Sequence, residues 1–211
     1  MTDLSSISNK IQKFTSNGRF ITAWGNLGFG PGRFTSPAGI DVGTLDNNNN
    51  VYIADIGSPG TAVQVFTTNG TFIRSWGSDG LGDGQFINPA GIAVDSLGNV
   101  YVGDFGENNR IQKFDSNGNF ITKCGSPGTG DGQFITAADI AIDSSDDLYV
   151  ADFGNNRIQK FDSNGNFITK WGSPGNKDGQ FLGPSGLIVD PSGNVYVVDG
   201  GNSRIQVFTP S

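Results

Sequence analysis

The sequence contains no histidine at all, one cysteine (Cys124), one methionine and one glutamate (Glu107) among its 211 residues. Without histidine there is no Ser-His-Asp or Cys-His arrangement, and neither the commonest general base nor the usual zinc ligand is present. A lone cysteine cannot form an intrachain disulfide, so the redox compartment stays open. Positive charge is also scarce. Thirteen Lys and Arg stand against 20 Asp and Glu, for a net charge of −7 and a pI near 4.4. The cations sit singly, as at Arg110, Lys113, Arg157 and Lys160, and form no basic stripe for phosphates. Nucleic acids and anionic membranes are therefore disfavoured as partners. No apolar run approaches the roughly 20 residues of a membrane span, and the opening Met1–Ser8 has no signal-peptide core. The expected localisation is a soluble, cytoplasmic one by default.

Glycine is abundant, at 33 residues, with 9 prolines and 21 asparagines. Gly and Pro cost a helix about 1 and 3 kcal/mol relative to Ala, which rules out a helical bundle. Short apolar runs between Gly, Asn and Asp punctuation point instead to an all-β chain with many turns.

Those runs recur at a fixed period. Ile-Gln-Lys-Phe or Ile/Val-Gln-Val-Phe begins at 11, 63, 111, 158 and 205, at intervals of 52, 48, 47 and 47 residues. Three further landmarks keep step with it: Gly91-Ile-Ala-Val-Asp95, Val100-Tyr-Val-Gly-Asp104 and Phe120-Ile-Thr-Lys-Cys-Gly125, each with three counterparts. Each repeat thus holds four β-rich segments, a to d, in the order Gly-Ile-Ala-Val-Asp, Val-Tyr-Val-Ala-Asp, Ile-Gln-Lys-Phe and Phe-Ile-Thr-Lys-Trp. The c–d links carry Asn-Gly at 17–18, 69–70, 117–118 and 164–165, which predicts hairpins closed by type I′ turns. Extra length in the first unit comes mostly from Asn47–Asn50.

A 47-residue antiparallel unit cannot bury both its faces alone, and radial stacking of copies around an axis solves that problem. Thirteen of the 16 Phe fall at three phases, 14/66/114/161/208, 20/72/120/167 and 34/86/134/181, as packing between blades requires. Cys124 stands at the phase of Trp24, Trp76 and Trp171, where a buried thiol fills part of an aromatic site. The expected fold is an all-β propeller, one domain over 1–211, of four repeats with four antiparallel strands each. Because segment c occurs five times and a, b and d four times, the chain reads as permuted, with N- and C-terminal strands sharing a blade. It then closes as a four-bladed monomer or is completed by oligomerisation.

These landmarks together resemble the NHL repeat family, almost verbatim from Gly91 to Gly172 and in outline over 8–208. The resemblance implies a propeller serving as a protein-interaction platform, an RNA-binding domain or a sensor. A few related propellers are enzymes, namely zinc-dependent amidating lyases, whose histidine ligands have no counterpart here, and metal-dependent lactonases. RNA-binding members use a basic face, which this chain does not have.

Candidate binding residues are the Asp closing each b segment, Asp55, Asp104, Asp152 and Asp199, with Arg110, Arg157 and Arg204 beginning c. They are expected on the loop face formed by the b–c and d–a links. The competing reading of so regular a set is a structural ion pair or loop cap. Asp115-Ser-Asn-Gly-Asn119 and Asp162-Ser-Asn-Gly-Asn166 have their Gly too early for an EF-hand and read as turns. Neither a catalytic residue nor a metal or cofactor is expected. Ser58–Thr61, Glu107 and Asp146–Asp147 break the repeat and could let a partner tell one blade from another. The expected function is non-catalytic: a scaffold or self-assembling module that binds a protein partner or a second copy. Its rivals are a metal-dependent propeller hydrolase or lactonase and a carbohydrate-binding propeller.

Overall fold

In the computed structural model, which describes residues 2–3, 9–43 and 49–210, every repeat is an antiparallel sheet. Sheet I comprises Thr2–Asp3, Lys10–Phe14 and Phe20–Trp24. Sheet II runs Pro37–Val42, Val51–Asp55, Val63–Phe66 and Phe72–Trp76, and sheet III runs Asn88–Val94, Val100–Phe105, Arg110–Phe114 and Phe120–Cys124. Sheet IV comprises Ala137–Ile142, Leu148–Asp152, Arg157–Phe161 and Phe167–Trp171, and sheet V Pro184–Val189, Val195–Asp199 and Arg204–Phe208. In sheets II to IV these are the predicted segments a, b, c and d in spatial order, so the chain is an all-β propeller. Two single-turn 3₁₀ segments, Phe153–Asn155 and Gly200–Asn202, are the helical elements among the described residues.

The four a strands pack side by side in chain order and line a central channel of about 260 Å³. Close approach there depends on glycine: a Cβ at Gly39 would lie 2.1 Å from the Ala90 carbonyl oxygen. Between sheets, the phased aromatics fill the core as predicted. Phe34, Phe86, Phe134 and Phe181 are buried, as are Phe66, Phe114 and Phe161. Burying a Phe or Leu side chain contributes about 1.5–3 kcal/mol, so these seven do much to hold the sheets together.

Two expectations change. The Asn-Gly hairpins are not type I′ turns, because only the glycine of each pair has positive φ (Gly18 82°, Gly70 84°, Gly118 88°, Gly165 86°). The Gly118 N–H donates to the Asp115 carbonyl, and the ladder shifts register at Lys113/Phe114. This is a type I turn followed by a glycine bulge, which one left-handed residue suffices to close. Secondly, the terminal strands do not share a blade. Lys10–Phe14 pairs with Thr2–Asp3 and with Phe20–Trp24, while Arg204–Phe208 pairs with Val195–Asp199. Both copies of segment c are used, each in its own three-stranded sheet. Thr2–Asp3 occupies the b position beside its c strand and so competes with the expected pairing. Of the Asn47–Asn50 insertion, residues 47 and 48 lie outside the described residues.

Candidate functional site

The loop face is organised by the four b-strand aspartates, all fully buried. Sheet IV shows the complete arrangement. Asp152 accepts the Ile135 N–H at 2.9 Å with one oxygen. Its other oxygen accepts from Asn155 Nδ2 at 2.8 Å, Arg157 Nε at 2.8 Å and Gln159 Nε2 at 3.0 Å. The Arg157 fork then reaches the carbonyls of Thr129, Gly130 and Gln133 at 2.9, 2.7 and 2.8 Å. Gln159 donates to the Gln133 carbonyl at 2.8 Å and accepts the Gly132 N–H at 2.9 Å. One carboxylate, one guanidinium and two amides thereby satisfy the backbone of a whole d–a loop, which otherwise could not be held rigid.

The arrangement repeats with graded losses. In sheet V, Asp199 accepts from Leu182 N–H at 2.7 Å, Asn202 at 2.9 Å, Arg204 Nε at 2.8 Å and Gln206 at 3.1 Å. Burial pushes its pKa up, but those four donors outweigh it and hold the carboxyl below its ordinary value. In sheet III the Arg110 Nε stands 3.7 Å from Asp104, too far for a hydrogen bond. There burial wins, and the Asp104 pKa is raised against the Asn88 and Ile87 N–H bonds. In sheet II Ala62 stands in the arginine position, and the buried Ser58 hydroxyl donates to Asp55 instead. The Asp55 pKa is likewise raised by burial.

The seven candidate residues are therefore brought to one face, blade by blade, but as anchors beneath it. Arg110 and Arg157 are buried, and only Arg204, at the free end, is partly open. What they hold outward is a set of apolar side chains. The N–H groups bound by Asp104, Asp152 and Asp199 belong to Ile87, Ile135 and Leu182, which are 37%, 43% and 50% exposed. Each stands one or two residues before an a strand, so together they form an apolar collar on the loop face. Phe153, 44% exposed, joins them beside a groove of about 520 Å³ whose walls include Asn156, Leu182, Ser185 and Gly201. Neighbouring blades are pinned across this face: Asn109 and Asn156, in left-handed conformation, accept the Thr136 and Gly183 N–H groups at 2.8 Å each.

Of the residues that break the repeat, Asp146 joins neighbouring sheets, accepting from the Ser96 N–H at 2.8 Å and its hydroxyl at 2.7 Å. Asp147 pairs with Lys160 at 2.8 Å. Cys124 sits half-buried at the tryptophan phase, and burial pushes its thiol up to about 12, away from nucleophilic reactivity.

Sequence reasoning missed three features. The buried Gln64, Gln112 and Gln159 of the c motif are loop anchors, not surface polar residues. The apolar collar occupies the position after Phe86, Phe134 and Phe181, where Thr35 follows Phe34, and could have been found by stacking the repeats. Asp41 and Asp139 face the channel, Asp41 where the other repeats have Ala or Ile and Asp139 where they have Gly. Asp41 accepts the N–H groups of Val42 and Val94 at 2.8 Å each, while Asp139 accepts those of Ile140 and Leu187 at 2.9 Å each. Each carboxylate thus ties one a strand to the next. Burial, with Asp41 nearby as a lesser cause, raises the Asp139 pKa to about 6. No group of three His, Cys, Asp or Glu side chains suited to a metal occurs among the described residues.

The NHL repeat model matches residues 86–114, 134–161 and 181–208, each from the buried Phe before strand a to the Phe closing strand c. Over these residues the chain is built of NHL repeats. It is 32% identical over 111 residues to human NHL repeat-containing protein 3, covering 48% of this chain but 30% of that protein. The mouse counterpart matches to the same extent. Among solved structures, a chain in a nidogen/laminin complex superposes with a TM-score of 0.65 at 21% identity, covering 99% of this NHL chain and 74% of the other. Virginiamycin B lyase from Staphylococcus aureus gives a TM-score of 0.60 at 14% identity, over 96% and 63% of the two chains. At these identities the structural similarity speaks for the fold alone. No helix among the described residues is long and apolar enough to cross a membrane.

Proposed function

We propose that this NHL chain is a non-catalytic protein-binding module whose loop face seats apolar side chains of a partner. The observation that carries the reading is the apolar collar. Ile87, Ile135 and Leu182 are exposed while their backbone N–H groups are held by buried carboxylates. Ordering them beforehand reduces the entropy lost on binding, and the groove beside Phe153 gives an anchor a pocket to fill. The nidogen/laminin similarity supports a binding role for this architecture. Absence of histidine, and the engagement of the site aspartates in loop anchoring, support a role without catalysis.

Selection of displayed peptides on the wild-type chain, repeated on a Phe153→Asp/Leu182→Asp double variant, tests this. Both residues are about half exposed, so the fold should survive. Expected are binders rich in large apolar residues that lose at least tenfold in affinity for the variant. Binders indifferent to the variant would overturn the loop-face assignment.

A second reading, metal-dependent hydrolysis in the channel, draws on Asp41 and Asp139 and on the fold similarity to a lyase. A rise in melting temperature with calcium or manganese, lost in Asp139→Asn, would favour it over the binding module.

A further inference from the structure

Within the chain, three of the four c–d hairpins cap the d strand of the preceding sheet in the same way. A Cβ at Gly70 would meet the Trp24 ring at 2.7 Å, one at Gly118 the Trp76 ring at 2.7 Å, and one at Gly165 the Cys124 Cβ at 2.8 Å. A cation from the preceding sheet also grips the hairpin backbone. Lys13 donates to the Thr68 carbonyl and Lys113 to the Ser163 carbonyl, each at 3.1 Å, and Arg74 donates to the Ser116 carbonyl. Three successive interfaces use this lock, with the glycine on an indole ring in two and on Cys124 in the third, and a cation on a hairpin carbonyl in each.

One ring and one hairpin are left without it. Trp171 closes sheet IV, and beside it lies a groove of about 580 Å³ whose walls include Tyr149, Lys160, Thr169, Phe208 and Pro210. Lys160 stands at the position of Lys113, held above the Tyr149 ring as Lys113 is above Tyr101. At the other end of the chain, Gly18 of the Thr15–Arg19 turn has nothing within 4 Å of a Cβ position. On the same hairpin Phe14 and Phe20 are 39% and 54% exposed, although Phe161, the counterpart of Phe14, is 1% exposed and Phe167, the counterpart of Phe20, is half-buried. Sheet I has b-, c- and d-type strands, and sheet V has a-, b- and c-type strands.

We propose that a second copy of this chain supplies the lock: its Lys10–Trp24 hairpin takes the two outer places of sheet V. Gly18 of the incoming hairpin seats on Trp171, and its Ser16 carbonyl accepts from Lys160. The hairpin replaces the Arg204–Phe208 strand, which shares its Ile-Gln-x-Phe pattern and whose outer face is uncovered, with Ile205 66% and Val207 52% exposed. The exchange displaces Thr2–Asp3 from the Lys10–Phe14 edge as well, but it substitutes a two-stranded hairpin for a lone edge strand, buries Phe14 and Phe20, and removes an open sheet edge. Reciprocal exchange in a pair fills both grooves, so the association closes at two copies. It goes beyond loop-face binding and uses different residues, so either can fail without the other.

Light scattering across micromolar concentrations should give twice the 22.2 kDa chain mass. Gly18→Asn tests the lock directly. Asn tolerates left-handed φ, and the space around Gly18 is open in the single chain, so the melt should stay nearly unchanged. The dimer dissociation constant should nevertheless rise at least tenfold. Ile205→Lys should leave the dimer intact, because that strand is displaced. A 22.2 kDa mass at every concentration would overturn the proposal, as would a dimer indifferent to Gly18→Asn. A dimer lost in Ile205→Lys would mean that the copies meet through the outer face of sheet V instead, which also overturns it.

Discussion

Sheet IV and sheet V carry nearly the same c strand, Arg-Ile-Gln-Lys-Phe and Arg-Ile-Gln-Val-Phe, yet they live in different surroundings. Ile158 is fully buried and Ile205 is 66% exposed; Phe161 is 1% exposed and Phe208 half-buried. The pairing with the b strand and the Asp–Arg–Gln network are the same in both sheets, but only the sheet IV strand has a d strand on its other edge. What separates them is a neighbour on each side, as solenoid energetics would have it: stability lies in the interfaces between units as much as within them.

The sharpest way to test that contrast is to cut the two phenylalanines. Phe161→Ala should cost about 3–5 kcal/mol, whereas Phe208→Ala, with half its surface already open, should cost about 2 kcal/mol. Chemical denaturation of both variants measures this, and equal losses would break the contrast.

The buried carboxylates come next. Asp152→Ala leaves the guanidinium of Arg157 buried without its counterion, which should cost about 3–5 kcal/mol. In Asp199→Ala the partner Arg204 is 27% exposed and can turn to water, so the loss should be nearer 1–2 kcal/mol. Melting curves would show the difference, and a larger loss in sheet V would reverse the ranking.

Acidity separates the channel from the end sheet. Asp139, with its pKa raised to about 6, binds its proton more tightly folded than unfolded. Its stabilising contribution is therefore complete below about pH 4 and is lost as pH rises through 6. Asp199 is lowered, so its contribution is present above the ordinary carboxylate range and is lost as pH falls through the folded value. Melting temperature against pH should accordingly lose its decline between about pH 4 and 6 in Asp139→Asn, and part of its acid limb in Asp199→Asn. An unchanged slope between about pH 4 and 6 in Asp139→Asn would contradict the channel assignment. The smallest effect belongs to Ile205→Thr, expected within about 0.5 kcal/mol of wild type in the single chain. Ile158→Thr should cost several times that, by the same denaturation measurement.

Much of the fold was legible because a repeat states each strand several times. The phase of Phe34, Phe86, Phe134 and Phe181 marked the core, and all four are buried. The Asp and Arg residues were found by the same regularity, but regularity could not say which way they point. Their burial follows from the incoming loop, whose carbonyls and N–H groups need partners from a strand roughly 25 residues away. Asp41 and Asp139 were legible as departures from the repeat, yet only the channel explains them. The hairpin type was not legible because Asn-Gly serves two kinds of turn, and the register shift that selects one belongs to the ladder.

Periodicity, glycine placement and alternating apolar residues by themselves determined the four-stranded module and its need for neighbours, because those properties are local and repeated. Which strands pair at the two ends was decided in three dimensions. Segments beginning at 11 and 205 are nearly interchangeable in sequence, so local preference cannot choose between them. The choice falls to competition for the same sheet edge, which Thr2–Asp3 wins at one end and Arg204–Phe208 at the other.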